Sequence, residues 1–240
     1  LGHSVTDKSV KVIVIYGAGK NFSGGHDISS PGRDIEDSFP RIASHWWDHS
    51  NKPISESIYI REREAYLEMC RRLREAPKPT IAMVHGGCVA GGLSIAWACD
   101  LIMASEDAFF ADPVVRMGIP GIEFFAHVHT LNARLAKEML FLGDRISAGR
   151  AYEMGMVNRV FPSNQLREET FHIASRIADK PQFGLALAKQ AVNQAEDISG
   201  LRASMDAAFG LHQIGHLHNA MTSSDHIGAK DPKKIAKEME

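Results

Sequence analysis

Two glycine-rich segments offer the most specific chemistry in this sequence. One, HGGCVAGGLS at residues 85–94, places four glycines within seven consecutive positions, directly after the apolar run TIAMV. The other, GAGKNFSGGHD at residues 17–27, follows the apolar run VKVIVIY. Because glycine loses more conformational freedom on folding than any other residue, a glycine cluster before a helix indicates that the backbone itself approaches a ligand.

Three kinds of glycine-rich site can be compared with these segments. A nucleotide-binding P-loop needs the pattern G-x-x-x-x-G-K-[ST], and neither segment has a lysine at the required position in this pattern. A dinucleotide fingerprint needs G-x-G-x-x-G, which the spacing of Gly86, Gly87 and Gly91 does not match. The third kind is an oxyanion hole, in which two backbone N–H groups from separate loops stabilise the charge that develops on a carbonyl oxygen. The helix that starts at the second loop would add positive potential to such a site.

The composition is that of an ordinary globular protein. Of 240 residues, 44% are apolar and 23% are charged, and the net charge of -2 gives no basis for binding nucleic acid or an anionic membrane. No apolar run reaches the ~18 residues that a transmembrane helix needs. The three cysteines, Cys70, Cys88 and Cys99, form no C-x-x-C pair. They are predicted to be buried free thiols in a reducing compartment, and the protein to be cytoplasmic.

The elements that must position the two loops alternate in the first part of the chain. Strands buried on both faces are predicted at VKVIVIY and TIAMV, and shorter strands at DLIMAS, AFFAD and MVNRVFP. Helices are predicted over 58–76, after the second glycine loop, over 118–141 and at SAGRAYEMG, which starts at Ser147 and ends at Gly155.

These patterns predict an α/β fold with two parts. Residues 1–162 form the alternating core, and residues 163–240 form a helical C-terminal segment. Residues 31–57 are predicted to form a long irregular loop that is mobile. Trp46 and Trp47 in this loop are candidates for lining an acyl pocket or for anchoring the loop.

The order of these segments resembles the crotonase (enoyl-CoA hydratase/isomerase) family. The match runs from GAGKNFSGGHDI through APKPTIAMVHGGCVAGGLSIAWACDLIMAS and AFFADPVVRMGIPG to AKEMLFLGDRISAGRAYEMGMVNRVFP and KQAV, roughly residues 8–195. The resemblance implies a spiral of ββα turns, C-terminal helices that build a homotrimer or a dimer of trimers, and an acyl-CoA substrate. Coenzyme A is then part of the substrate, and no separate cofactor is expected. Family members carry additional strands in front, so the N-terminal unit is expected to be incomplete and to lack contacts to the CoA nucleotide.

Matching the chain to the family residue by residue gives the expected site positions. The two oxyanion-hole amides belong to His26 and Gly91, whereas the His26 imidazole is expected to face solvent or to pack on the lid. Further substrate contacts are expected at Ser23, Gly24, Gly25, Asp27, Ile28, Gly87, Gly92, Ser94 and Val114.

The sequence departs from the two-glutamate pattern of the family's hydratases. Ser94 stands at the position of one glutamate and Val114 at that of the other. A residue that takes over the acid–base role of these glutamates must be titratable and close to the reacting carbons of the substrate. Glu123 and His127, four residues apart on a predicted helix, are candidates for an oriented acid–imidazole pair, and Asp112 is a third candidate. The structural alternatives are a solvated first-turn acid for Glu123 and a turn-forming residue before proline for Asp112.

The remaining polar residues are not assigned a role in the preferred reaction. Ser94 lies too far from the preceding strand to be a nucleophile elbow, and is interpreted as leaving room for an acyl group or donating a hydrogen bond to it. His212, His216 and His218 have no carboxylate at ligand spacing, so no metal site is expected and they are predicted to be solvated or at a subunit interface. The arginines of residues 61–74 are predicted to form a solvated helix face.

The resulting hypothesis is an enzyme that acts on an acyl-CoA thioester through an enolate-like intermediate. Hydration of a 2-enoyl-CoA is the first choice, because it is the commonest reaction of the family that the chain resembles. Double-bond isomerisation needs only one acid and fits the remaining residues as well or better, and thioester or C–C hydrolysis is a third possibility. The alternative from a different functional class is a non-catalytic acyl-CoA-binding protein that kept the fold of the family and lost its catalytic acid residues.

Overall fold

The computed structural model describes residues 1–26 and 54–222 of the chain, which contain two small sheets. The strands are β1 (Ile13–Tyr16), β2 (Thr80–Val84), β3 (Gly87–Val89), β4 (Leu101–Ser105), β5 (Phe109–Ala111), β6 (Ile146–Ser147) and β7 (Arg159–Phe161). One sheet is parallel, in the order β1-β2-β4-β7. In the other, of order β3-β5-β6, β3 and β5 are parallel and β6 is antiparallel to β5.

Helices connect these strands and make up the C-terminal part of the described chain. They are α1 (Gly2–Thr6), α2 (Ile54–Arg61), α3 (Glu68–Arg74), α4 (Gly91–Trp97), α5 (His127–Thr130), α6 (Ala133–Leu142), α7 (Ala148–Glu153), α8 (Leu166–Ala178), α9 (Gln182–Ile198) and α10 (Leu201–Thr222). A π-helical segment, Glu62–Leu67, joins α2 to α3. The α/β class, the helix after the second glycine loop and the predominance of helix after residue 163 are confirmed. Trp46, Trp47 and most of the loop predicted at 31–57 lie outside the described residues.

The two long apolar runs differ in burial. All five residues of β2 are buried, as the TIAMV pattern predicts, because this strand pairs with β1 on one side and β4 on the other. The prediction that the first run is buried on both faces is wrong. Among the described residues β1 pairs with β2 alone, at the edge of the sheet, and Tyr16 is 48% exposed.

The long helix predicted over residues 118–141 is interrupted. Gly118 has a left-handed φ of 76° and ends a short 3₁₀ turn, Val114–Met117. Helical structure resumes at His127, and α6 begins after Asn132, whose side chain accepts hydrogen bonds from two N–H groups of the first turn. Glu123 therefore lies in irregular chain and not at the start of a helix.

The prediction of a solvated arginine face at residues 61–74 is wrong for three of its five arginines. Arg61, Arg71 and Arg74 are buried. Arg71 Nη2 lies 3.0 Å from Asp206 Oδ1 on α10, and Arg74 Nη2 lies 2.9 Å from Glu196 Oε2 on α9. A buried guanidinium needs such partners because burial removes its hydration. These ion pairs hold α9 and α10 against α3.

The hydrophobic core extends into the C-terminal helices. Leu201, Met205 and Phe209 of α10 belong to the same buried cluster as Leu93 of α4 and Phe110 of β5. The division of the chain near residue 163 stays a prediction. Among the helices of the described residues, none combines the length and the apolar character that crossing a bilayer requires.

Candidate active site

A cavity of about 240 Å³ lies where the two glycine-rich loops meet the helix that precedes β2. Six of the residues selected from the sequence line it: Ser23, Gly25, His26, Gly91, Ser94 and Glu123. The remaining lining residues are Ala65, Tyr66, Met69, Cys70 and Ile95. Among the other expected contacts, Gly24, Gly87, Gly92 and Val114 do not line this cavity, and Asp27 and Ile28 lie outside the described residues.

Backbone hydrogen bonds hold the two glycine-rich loops together. The N–H of Ser23 donates to the carbonyl of Gly87 at 3.1 Å, and the N–H of Val89 donates to the carbonyl of Ser23 at 2.9 Å. Ser23 thereby continues the edge of the smaller sheet as an isolated bridge to Cys88. This pairing brings the loop that ends in His26 beside the start of α4.

Two glycines are required by this close approach. A Cβ on Gly92 would lie 2.6 Å from the carbonyl oxygen of Ser23, well inside van der Waals contact. Gly25 has a φ of 91°, and a Cβ there would lie 3.2 Å from the amide nitrogen of Gly91. The glycine clusters therefore allow one loop backbone to pack directly on the other.

The turn before α4 presents the Gly91 amide at a helix start. Ala90 has a φ of 48°, the one positive value at a non-glycine residue in the described ranges. As the first residue of α4, Gly91 has an N–H that no carbonyl of its own helix can reach. A strained turn that exposes a backbone donor next to a cavity is typical of a functional site.

The Glu123 carboxylate and the His26 imidazole are in direct contact in the cavity. His26 Nε2 lies 3.3 Å from Glu123 Oε1, and the edge of the imidazole packs against the ring of Tyr66, with ring centroids 4.1 Å apart. Burial opposes ionisation of Glu123, but the neighbouring His26 outweighs it, and the pKa of Glu123 lies below its usual value. The carboxylate is therefore ionised near neutral pH and able to accept a proton.

The predicted pairing of Glu123 with His127 is wrong. His127 Nε2 lies 2.9 Å from Asp112 Oδ2, and both side chains are fully buried. Asp112 also accepts a hydrogen bond from the N–H of Ile122 at 3.1 Å. Helical spacing had suggested the pair, but Glu123 precedes the helix that contains His127. Asp112 and His127 do not line the cavity, and they stabilise the irregular segment that carries Glu123.

Ser94 and Cys70 contribute a hydroxyl and a thiol to the lining of the cavity. Ser94 Oγ is buried and has no hydrogen-bond partner within the described residues. This orphaned hydroxyl fits the interpretation that Ser94 hydrogen-bonds to a bound acyl group. Burial raises the pKa of the Cys70 thiol well above its usual range, so this thiol stays protonated and is a poor nucleophile. Cys70, Cys88 and Cys99 are free and buried, as predicted.

Sequence reasoning missed the wall of the cavity formed by the π-helical segment and α3. Tyr66 and Met69 come from this wall, and their position on one face of the predicted helix 58–76 was visible in the sequence. The apolar pattern indicated burial, but it did not distinguish packing in the core from packing against a ligand.

A second titratable cluster lies directly behind Glu123. His212 Nε2 is 3.9 Å from Glu123 Oε1 and 3.5 Å from Glu62 Oε2. His216 Nε2 is 2.8 Å from Glu62 Oε1. His212 and His216 are buried, so the prediction of solvated histidines is wrong for these two, whereas His218 is exposed and the subunit-interface alternative stays a prediction. The carboxylate beside His212 and His216 comes from the π-helical segment.

The charges in this cluster stabilise one another. Burial raises the pKa of Glu62, but the two histidines outweigh that effect and bring it well below its usual range. For His212, burial lowers the pKa, whereas Glu62 raises it, and the result is about 9. In the absence of another ligand, the cluster is therefore a buried imidazolium–carboxylate network.

The sequence profile described as enoyl-CoA hydratase/isomerase matches residues 1–224. The chain belongs to this family, whose members act on acyl-CoA thioesters. The resemblance seen in the two glycine loops, the crotonase fold and the enzyme class are confirmed.

Individual relatives agree with this assignment. A Mycobacterium tuberculosis protein named as an enoyl-CoA hydratase, EchA13, is 40% identical over 216 residues, which cover 88% of this chain and 68% of that protein. The mitochondrial enoyl-CoA hydratase of Pongo abelii is 33% identical over 196 residues, which cover 80% of this chain and 60% of that protein. The chain thus spans about two thirds of the length of these relatives.

Solved structures show the same fold. A crystal structure from Mycobacterium smegmatis, described as an enoyl-CoA hydratase, superposes with a TM-score of 0.81 at 39% identity and covers 94% of this chain and 83% of its own. A crystal structure from Mycobacterium thermoresistibile, with the same description, gives a TM-score of 0.83 at 41% identity. The superposition covers 94% of this chain and 84% of that one.

The close contact between the two loops predicts that a larger residue at position 92 destabilises the protein. We expect Gly92→Ala to lower the free energy of unfolding by about 1–3 kcal/mol, because the added methyl group overpacks the interface with Ser23. Gly210→Ala is the matched control, since Gly210 lies on α10 with nothing within 4 Å of its added Cβ. It should be neutral or stabilising by up to about 1 kcal/mol. Urea denaturation of both variants measures the difference, and equal stabilities would contradict the proposed close packing.

Proposed function

We propose that this chain adds water to the double bond of a 2-enoyl-CoA thioester, with Glu123 as the group that exchanges protons with the substrate. The observation that carries this proposal is the position of Glu123, a buried carboxylate in the same cavity as Gly91 and His26. A general base must lie within reach of the reacting atoms and be partly shielded from water, and Glu123 meets both conditions.

The backbone amides of His26 and Gly91 would bind the thioester oxygen. When the oxygen of water bonds to the β carbon, Glu123 takes one proton from that water, and the double-bond electrons move onto the thioester oxygen. The two N–H groups stabilise the resulting enolate, a type of interaction that contributes on the order of 3 kcal/mol per donor. Glu123 then returns the proton to the α carbon, which completes the addition. The His26 imidazole holds Glu123 in place, and CoA enters as part of the substrate.

Double-bond isomerisation is the second candidate, and one observation favours it. Among the described residues, Glu123 is the single carboxylate that lines the cavity. The family resemblance puts Ser94 and Val114 at the positions of the two standard glutamates. One carboxylate suffices to remove a proton from the α carbon of a 3-enoyl-CoA and return it at the γ carbon. The same amides would stabilise the intermediate dienolate.

We also propose that the C-terminal helices assemble the chain into a homotrimer or a dimer of trimers. This proposal extends the family resemblance and is supported by apolar side chains on the surface of α9 and α10. Ile198 is 88% exposed, Met221 78% and Phe183 75% in the isolated chain. Exposed apolar side chains concentrated on one part of a protein are typical of a protein–protein interface.

The reaction is tested by mass spectrometry of thioesters after incubation with 2-enoyl- and 3-enoyl-CoAs of several chain lengths in water labelled with heavy oxygen. We expect a product heavier by one labelled water from a 2-enoyl-CoA. A shifted double bond at unchanged mass would replace hydration by isomerisation, and release of free CoA would indicate hydrolysis. Return of every substrate unchanged, including bulky cyclic acyl groups, together with tight CoA-ester binding, would favour the non-catalytic alternative.

The role of Glu123 is tested by Glu123→Gln, which keeps the shape of the side chain but removes its ability to accept a proton. We expect kcat to fall by about 10²–10⁴-fold with little change in acyl-CoA binding. Glu138→Gln, an exposed glutamate on α6, is the control and should keep the wild-type rate. If Glu123→Gln also keeps that rate, another group handles the proton.

The assembly is tested by light scattering coupled to size-exclusion chromatography. We expect a mass of three or six times the 26.4 kDa of one chain. Phe183→Asp together with Met221→Asp should shift the population toward smaller species, because desolvating a charge in an interface is costly. A monomeric wild type at micromolar concentration would contradict the proposal.

A further inference from the structure

Glu62, His212 and His216 place three metal-binding atoms together in a buried site behind the cavity. The two histidines are four residues apart on α10, so their imidazoles extend from the same face of one helix. Glu62 reaches them from the start of the π-helical segment. All three residues are buried, and one ligand atom from each lies within 4.8 Å of the others.

The separations between the donor atoms are those of a metal coordination shell. The two Nε2 atoms lie 3.1 Å apart, His216 Nε2 lies 2.8 Å from Glu62 Oε1, and His212 Nε2 lies 3.5 Å from Glu62 Oε2. Donors at the usual Zn²⁺ distances in a tetrahedral site are about 3.3 Å from one another. Each of these three separations is within about 0.5 Å of that value, with Glu62 presenting a different carboxylate oxygen to each histidine.

Further hydrogen bonds orient the donor atoms. His212 Nδ1 donates to the carbonyl oxygen of Gly121 at 2.8 Å, which directs its Nε2 toward Glu62 and His216. Gln213 Nε2 donates to Glu62 Oε2. Metal-binding histidines in proteins characteristically donate their second N–H to a carbonyl or carboxylate, which fixes the tautomer and the ring orientation. The arrangement therefore includes the supporting contacts of a metal site as well as its ligands.

We propose that Glu62, His212 and His216 bind a zinc ion. Two imidazoles and one carboxylate are a ligand set that Zn²⁺ uses with a fourth ligand from water or another side chain. The ion would fasten α10 to the wall that carries Tyr66. This role is independent of the reaction proposed above, because the three ligands do not line the cavity.

Metal binding is tested on the wild-type chain after dialysis against a chelator. We expect one equivalent of Zn²⁺ per chain, measured by competition with a chromophoric chelator, and a higher melting temperature with Zn²⁺ than without it. Co²⁺ should give the visible absorption bands of a tetrahedral nitrogen–oxygen site, and Zn²⁺ should displace them. A folded chain that binds no stoichiometric Zn²⁺ or Co²⁺ would overturn the proposal and leave the cluster as an ionic network.

The site is located by two matched variants on α10. His216→Ala should weaken Zn²⁺ binding by about 100-fold or more, since even contacts outside the ligand shell are worth 10–100-fold. His218→Ala removes an exposed histidine from the same helix and should leave binding unchanged. Circular dichroism checks that both variants fold, and if His216→Ala does not, Glu62→Gln takes its place. Stoichiometric binding that survives the loss of a ligand, or that is lost equally in His218→Ala, would overturn the assignment.

Discussion

The candidate site depends on the backbone pairing between Ser23 and β3. Two hydrogen bonds, one donated by Ser23 and one accepted by it, bring the end of the first glycine loop against the start of α4. Without this contact the amides of His26 and Gly91 would have no common neighbour. The pairing in turn requires Gly92, because no larger residue fits against the Ser23 carbonyl. Glycine, which destabilises regular structure elsewhere, is the residue that makes the contact possible.

Electrostatics links this contact to the C-terminal half of the described chain. Glu123 lies between His26 on one side and the cluster of Glu62 and His212 on the other. Glu62 and Glu123 each have a histidine beside them, so burial does not force these two carboxylates into the neutral form. The arginines of α3 are compensated in the same way by acidic residues on α9 and α10. The C-terminal helices therefore supply charges as well as apolar surface to the core.

The sequence correctly predicted the features that depend on runs of neighbouring residues. The wrong predictions concern features that depend on contacts between residues far apart in the chain. The strand TIAMV and the two glycine loops follow from runs of neighbouring residues, and the structure has them where they were expected. His212 and His216 were expected to be solvated or at a subunit interface, whereas Glu62 reaches them from the π-helical segment. The pairing of Glu123 with His127 rested on helical spacing, but the left-handed Gly118 and the buried Asp112 keep that segment out of the helix. A single sequence gives the spacing of residues but not whether tertiary contacts replace the helix.

The groups expected to bind the oxyanion belong to the main chain, and this has a consequence for how such a protein changes over time. Every residue except proline carries an N–H, so substitution at position 26 can alter the imidazole while leaving the backbone donor in place. The side chains at 26, 94 and 123 can therefore diverge independently of the scaffold that surrounds them. A frame of this kind can acquire a different reaction by exchanging one or two side chains, without rebuilding the loops proposed to bind the thioester.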